Sequence, residues 1–471
     1  MAETVGAGPA SVPTSVGLAK SGSRTHGAFS PGGAARTAGL QRKIRTRNAV
    51  ALYVSSVLGP GILILPGLAA RTAGPASLLA WALLGVASLA FAITFASLSA
   101  RRPEAGGVYA FAKEAFGRTV ATTTGWLFAL WVCVGAPAVA LIAAAYVGYA
   151  FSLPRPVAYL VGFLVLAAAF VVNLRGIVAS SRVQLAVIAS IVALLATVLL
   201  VASVHVTPSS FHPFLPDGVL SVGTAAALIF WSYLGYENVS NVAEEFERPE
   251  RDLRRAVWIS VAVIGVLYFA LAFVTVGTGA YRAGGGTAPF ASILADSFST
   301  YGAAVAAIFS LAIVFATVNA YTTGMSRVFF ATSRDGGFPR ALAHLHPRTS
   351  APDRALAVMF CAGGLTLLYY YLENITLTTA LLVAGGAALA VYIIGSASGL
   401  RIRLHAGRPE RGLAVLAAVS LAIALVILPF VGLPLIASGV VIALAVTYSL
   451  LTRVWTTPPS TDVGCVVSPI T

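Results

Sequence analysis

Ser55-Ser56-Val57-Leu58-Gly59-Pro60-Gly61-Ile62 lies in the middle of an apolar stretch that runs from residue 49 to residue 70. A proline between two glycines is out of keeping with a plain lipid-facing helix, because Pro removes a backbone donor and Gly weakens the helix further. A counterpart occurs at Phe230-Trp231-Ser232-Tyr233-Leu234-Gly235-Tyr236-Glu237-Asn238, within the apolar stretch 219 to 242, where a glycine and a carboxylate stand among aromatic residues. Unwound backbone inside a bilayer is tolerated only where protein or a watery cavity satisfies its polar groups, so two interrupted helices predict a central solvated site. The simpler alternative is that Gly and Pro only kink two ordinary spans.

The rest of the chain supplies the frame for these two breaks. Of 471 residues, 58% are hydrophobic and 10% charged, against about a quarter charged in an ordinary soluble domain, which excludes a soluble globular protein. A bilayer core takes about 20 apolar residues as a helix. Stretches of that length at 49–70, 77–99, 120–150, 157–174, 183–203, 219–242, 256–279, 303–331, 355–372, 376–399, 412–430 and 433–452 predict an all-α polytopic membrane protein with twelve transmembrane helices. Residues 1–47, rich in Ser, Gly, Ala, Pro and Thr, are expected to be a disordered cytoplasmic tail, with nothing resembling a cleaved signal peptide. A second tail is expected at 454–471.

The net charge of +14 would suggest a nucleic-acid partner in a soluble protein. Here 27 of the 30 Lys and Arg residues fall in the N-terminal tail, every second loop and the C-terminal end, leaving only Arg71, Arg155 and Arg282 on the other side. Loops rich in Lys and Arg stay inside, so both termini are expected in the cytoplasm and no nucleic acid is called for. Three cysteines, Cys133, Cys361 and Cys465, are too few and scattered for a disulfide framework, and the histidine pair His344 and His346 reads as solvated loop residues, so no metal or cofactor is implied.

Spans one and six open two sets of five, an arrangement found in transporters built from a five-plus-five inverted repeat. The halves would be about 48–205 and 218–400, together a ten-helix core over 48–400, with two additional helices at 401–453. In such a site a half-helix N-terminus offers N–H groups and a positive dipole end to a carboxylate, while unwound carbonyls face an ammonium group, which suits a zwitterionic amino acid.

The loops carry a resemblance. Arg102-Pro103-Glu104-Ala105-Gly106-Gly107-Val108-Tyr109, Ser333-Arg334-Asp335-Gly336-Gly337-Phe338-Pro339 and Glu244-Glu245-Phe246-Glu247-Arg248-Pro249-Glu250-Arg251-Asp252, taken with Gly59-Pro60-Gly61 and the span-six segment, resemble in order five motifs of the amino acid–polyamine–organocation superfamily. Within it the chain looks most similar to bacterial methionine and branched-chain amino-acid exporters. The resemblance implies that Gly61 and the backbone from Leu58 to Ile62 receive a substrate carboxylate, and that Phe230 to Glu237 contributes amine-binding carbonyls and an aromatic gate. Two departures stand out. Pro60 replaces the usual Ser, Thr or Ala and offers neither hydroxyl nor N–H, so recognition leans on Gly61, Ile62 and Ser55 or Ser56; and residues 183–203 contain no Lys, which removes one coupling route seen in proton-coupled relatives.

Candidate substrate-binding residues are therefore Ser55, Ser56, Gly59, Gly61, Ile62, Trp231, Tyr233 and Gly235. The aromatic faces of Trp231 and Tyr233 can cover an ammonium group or close over an apolar side chain, and packing is the alternative for each. Glu237 is the one acid placed well inside a span. Such burial costs at least about 2.5 kcal/mol, so by default the group faces the bundle interior and is functional. It either couples or gates transport, taking up and releasing protons, or braces the broken segment against span one. Asn319, Tyr321, Thr322 and Thr323 line the cavity or bond between helices. Arg334 and Asp335 are expected to pair within their loop.

These features together predict a secondary active transporter of small or apolar L-amino acids, working by alternating access in the cytoplasmic membrane as an exporter or exchanger. No phosphate-binding loop is present, since the Gly-rich run Ala283 to Thr287 lacks the lysine and spacing, so the energy comes from a gradient or from exchange. A polyamine or organocation transporter is the alternative within the class, although it would want several intramembrane carboxylates. A non-transporting nutrient sensor is the alternative outside it. An enzyme is disfavoured because no span interior holds a histidine.

Overall fold

The computed structural model describes residues 46, 50, 53–54, 57–101, 107–175, 181–237, 249–282, 285–405 and 410–456. Ser55, Ser56, residues 102–106 of the first loop motif, 238–243, residues 244–248 of the Glu244–Asp252 motif, and nearly all of both predicted tails lie outside them. The described residues form α-helices and short 3-10 turns, with no strand among them. In an apolar medium each backbone N–H and C=O must be bonded within its own segment, and a helix does this for every interior residue.

Nine helical stretches among the described residues are long and apolar enough to cross a membrane, and two shorter apolar helices occur at Ala189–Ser203 and Val219–Tyr233. The protein is a multi-pass membrane protein. The count falls below twelve because the first two predicted spans run together as Gly61–Arg101, and the fifth and sixth contribute the two shorter helices. Otherwise the helices coincide with the predicted stretches: Arg118–Phe151 with the third, Arg155–Leu174 the fourth, Ser181–Ser203 the fifth, Pro249–Gly277 the seventh, Asp353–Leu372 the ninth and Leu377–Leu404 the tenth. Arg411–Ile427 and Leu435–Thr456 match the last two. Large apolar side chains such as Leu83, Val86, Val266 and Leu365 stand two-thirds or more exposed on the outer surface, where lipid would cover them.

Two short helices escaped the sequence reading. Val108–Phe116 precedes the third span and joins it through Gly117, at φ 83°. Before the eighth span, the helix that starts at Pro289 is broken from the remainder by non-helical backbone at Phe298 and Ser299, the latter at φ 53°. Each long helix is thus preceded by a short one and a residue at positive φ.

Side-chain contacts sort the loops into two sets. The Ala76 N–H donates to Phe214 O at 2.9 Å, and Arg282 Nη2 donates to Ser210 O at 3.4 Å, joining the turns after the first, fifth and seventh spans. In the other set, Arg118 Nη2 donates to Gly336 O at 3.3 Å and Trp126 Nε1 donates to Gly337 O at 2.9 Å. Asp335 belongs to this second set. It takes Lys113 Nζ at 2.8 Å and the Tyr109 hydroxyl at 3.3 Å, both from the short helix Val108–Phe116, so its partner is not Arg334 as expected. Burial, and then the Asp335 carboxylate beside it, push the Tyr109 phenol up to about 12, with Arg118 opposing. His344, expected to be free in solvent, has its Nδ1 2.7 Å from the Asp353 carboxylate.

One buried polar cluster joins the fourth span to the eighth. Asn173 Nδ2 donates to Asn319 Oδ1 at 2.9 Å, and Thr323 Oγ1 donates to Asn173 Oδ1 at 2.6 Å. Asn319 and Thr323 therefore bond between helices. Asn173→Ala removes both bonds and is expected to destabilise the protein by about 1–2 kcal/mol, read as a lower unfolding midpoint in detergent. An unchanged midpoint would show that the cluster carries no such load.

Candidate functional site between the broken helices

The first span ends its N-terminal half at Leu58, whose N–H reaches Val54 O at 2.8 Å. Gly59 N–H then turns to Val57 O at 2.7 Å, Pro60 takes φ −65° and ψ −12°, and a new helix begins at Gly61. No side chain caps that helix, and the Ile62 N–H makes only a long 3.4 Å bond to Gly59 O. The Leu63 N–H is bonded to Pro60 O at 3.1 Å, so it is the Gly61 and Ile62 N–H groups, with the positive end of the helix dipole, that the first turn presents.

The sixth span breaks in a different way. Helix Val219–Phe230 tightens to a 3-10 turn at Trp231–Tyr233, Leu234 is extended, and Gly235 adopts φ 121°, a backbone open only to glycine. The two breaks are tied together by Tyr268 of the seventh span, whose hydroxyl shares its one proton between Val57 O at 2.7 Å and Ser232 O at 3.1 Å. The Tyr146 hydroxyl of the third span braces the new helix through Leu63 O at 2.5 Å.

Between the breaks lies a cavity of about 540 Å³, counted with its mouth. The first span lines it with Val57 and Gly59-Pro60-Gly61, and the sixth with Trp231, Ser232 and Leu234. The third span adds Trp131, Val132, Gly135, Ala136 and Val139, and the eighth adds Thr317, Val318 and Tyr321. Among the described residues, none that lines it is charged. Trp131 meets Trp231 edge-to-face at 6.4 Å and Tyr321 at 5.9 Å, making an aromatic wall. Gly135 permits it, for a Cβ there would stand 2.8 Å from Trp231 Cη2.

Of the residues picked from sequence, Gly59, Gly61 and Trp231 line this cavity, and Tyr321 joins them. Ile62 is fully buried and does not line it; Tyr233 packs against Trp81, donating to its carbonyl at 3.3 Å; Gly235 shapes the backbone. Ser55 and Ser56 lie outside the described residues. Sequence reasoning missed the contribution of the third span, although Trp131, Gly135 and Val139 recur every four residues and so share one helix face.

Glu237 is buried beside the cavity, without lining it. One carboxylate oxygen accepts from Gly235 N–H at 2.9 Å and from the Tyr392 hydroxyl of the tenth span, while the other has no partner. Among the described residues no basic side chain pairs with it. The expected brace is thus directed to the tenth span instead of the first. A second buried charge was not anticipated: Arg403, at the C-terminal end of the same tenth helix, is held by Glu410 and by Ser97 Oγ at 2.7 Å.

A family model described as amino acid permease matches residues 44–452, nearly the whole helical region. This chain belongs to that family. The permease is 36% identical over 363 residues to the uncharacterized amino acid permease YecA of Bacillus subtilis (strain 168), covering 77% of this chain and 86% of the relative. It is 30% identical to the L-methionine/branched-chain amino acid exporter YjeH of Escherichia coli (strain K12), over 77% of this chain and 87% of that one. The branched-chain amino acid permease BcaP of Bacillus subtilis (strain 168) is 27% identical, over 66% and 71%. The permease is accordingly a transporter of the amino acid–polyamine–organocation superfamily and not an enzyme.

Proposed function

We propose that this permease moves small or apolar L-amino acids across the cytoplasmic membrane by alternating access, as a secondary exporter or exchanger. The observation that carries the reading is the uncharged cavity between the two breaks, where the N-terminus of helix Gly61–Ala73 faces an aromatic and aliphatic wall. A carboxylate fits the former and an apolar side chain the latter, while a polyamine finds no acid among the lining residues. The exporter YjeH and the permease BcaP point the same way by name.

The same proposal includes twelve spans with both termini cytoplasmic, built as two inverted halves of five. Supporting it are the paired breaks, the short helices that precede the third and eighth spans alike, and the Lys and Arg residues gathered in alternate loops. A thermal-shift screen of the purified protein against the common amino acids and polyamines tests the substrate class. Stabilisation by leucine, isoleucine or methionine is expected; stabilisation by polyamines alone would contradict it.

Within this reading Glu237 couples transport to protons. Its carboxyl links the break of the sixth span to Tyr392, so a change of protonation alters that link. Glu237→Gln is expected to transport with its response to an imposed pH gradient abolished. If the variant keeps the native response, the brace is the whole of its role.

A further inference from the structure

The cavity holds one polar group that no fold contact explains. Ser232 is 3% exposed, lines the cavity, and its hydroxyl has no hydrogen-bond partner among the described residues. A buried hydroxyl left without a partner is unfavourable, and Ser in a helix ordinarily avoids this by bonding to a carbonyl of the preceding turn. Its backbone carbonyl, by contrast, is already held by Tyr268 at 3.1 Å. The hydroxyl lies against the start of helix Gly61–Ala73, for a Cβ on Gly61 would stand 3.0 Å from Ser232 Oγ. That helix start lacks any side-chain cap, and Pro60, at the position before it, has neither a hydroxyl nor an N–H to donate.

We infer that Ser232 Oγ is the side-chain donor to the substrate carboxylate, placed from the sixth span beside the N–H groups of the Gly61 helix. A carboxylate in that corner accepts from the backbone on one side and from Ser232 on the other. Both broken helices then hold one functional group of the substrate, and the vacant capping role at Pro60 is filled across the cavity. The closeness of Ser232 to Gly61 also makes carboxylate binding sensitive to the relative position of the two breaks. A substrate bound by both favours the arrangement in which they touch. The assignment rests on the amino-acid reading above and names one ligand within it.

The test measures leucine binding and transport by the full-length protein and three variants. Ser232→Ala is expected to weaken leucine binding at least about tenfold, the loss of one charge-assisted bond, with KM raised and the maximal rate retained. Ser232→Thr keeps the hydroxyl and is expected to stay within about threefold of native, by the same reasoning. Adding Pro60→Ser to Ser232→Ala returns a hydroxyl from the other side and is expected to recover part of the loss. Native-like affinity in Ser232→Ala, or equal losses in the Ala and Thr variants, would overturn the assignment alone. A native protein that binds neither leucine nor any other amino acid overturns the transport reading as well.

Discussion

Gly61→Leu is expected to reduce amino-acid transport by at least about 100-fold while leaving a folded protein in the membrane. The reason is local. Gly61 stands at the junction of the two breaks, where even a methyl group would lie 3.0 Å from Ser232 Oγ, 3.1 Å from Trp231 Cδ1 and 3.3 Å from Leu65 Cδ1. A leucine side chain has room only in the cavity, where it occupies the space assigned to the substrate and shields the first-turn N–H groups. The backbone φ of Gly61 is ordinary, so the substitution adds bulk without conformational strain. Uptake of labelled leucine into proteoliposomes, normalised to reconstituted protein, checks this. Native-like uptake by the variant would place the substrate elsewhere.

Tyr268→Phe is the second large effect. Its hydroxyl is the one described group that bonds both breaks, to Val57 O and to Ser232 O. Removing it takes away the one proton that the two buried carbonyls share; Val57 O keeps the Gly59 N–H at 2.7 Å, and Ser232 O loses its side-chain donor, at about 1–3 kcal/mol. The expected result is a destabilisation of about 1–3 kcal/mol and a fall in the maximal transport rate of about tenfold, since the two halves of the site lose their common reference. The ring survives in Phe, and with it the edge contacts at 5.6 Å to Trp81 and 5.4 Å to Tyr233, so packing is conserved. Thermal unfolding and initial-rate measurements on the same preparation separate the two parts. A variant with native stability and native rate would show that the bridge is incidental.

The residues that break the helices were legible because their effect is local. Pro60 lacks a donor wherever it stands, and the φ of 121° at Gly235 is one that glycine alone supplies readily. The long apolar helices were legible for the same reason, since apolar length along the chain decides them, but not the run of the first two into one stretch at Gly61–Arg101. The partners of the breaks were not. Tyr268 meets Val57 across 211 residues, and Tyr392 meets Glu237 across 155, while nothing beside either tyrosine marks it among the other aromatics of a membrane helix. Lys113 and Asp335 were hidden likewise: adjacency pointed to Arg334, and the fold chose a lysine 222 residues away, on the short helix Val108–Phe116. The short helix from Pro289 was obscured by Asp296, Ser297, Ser299 and Thr300, polar residues that read as loop and fall at its kink.

Ser232 shows where the two kinds of information meet. The sequence places a serine at a break; only the structure shows it buried, without a partner and against Gly61. The same is true of the aromatic wall, whose Trp131 and Trp231 come from different helices and meet because Gly135 leaves space.

The most direct test of the central claim is counterflow in proteoliposomes loaded with unlabelled leucine and methionine. An amino-acid transporter working through the cavity between the broken helices predicts saturable, transient accumulation of external labelled leucine, abolished in Gly61→Leu. Absence of flux for every amino acid tested, from a folded protein that still binds one of them, would contradict it and identify a sensor in place of a transporter.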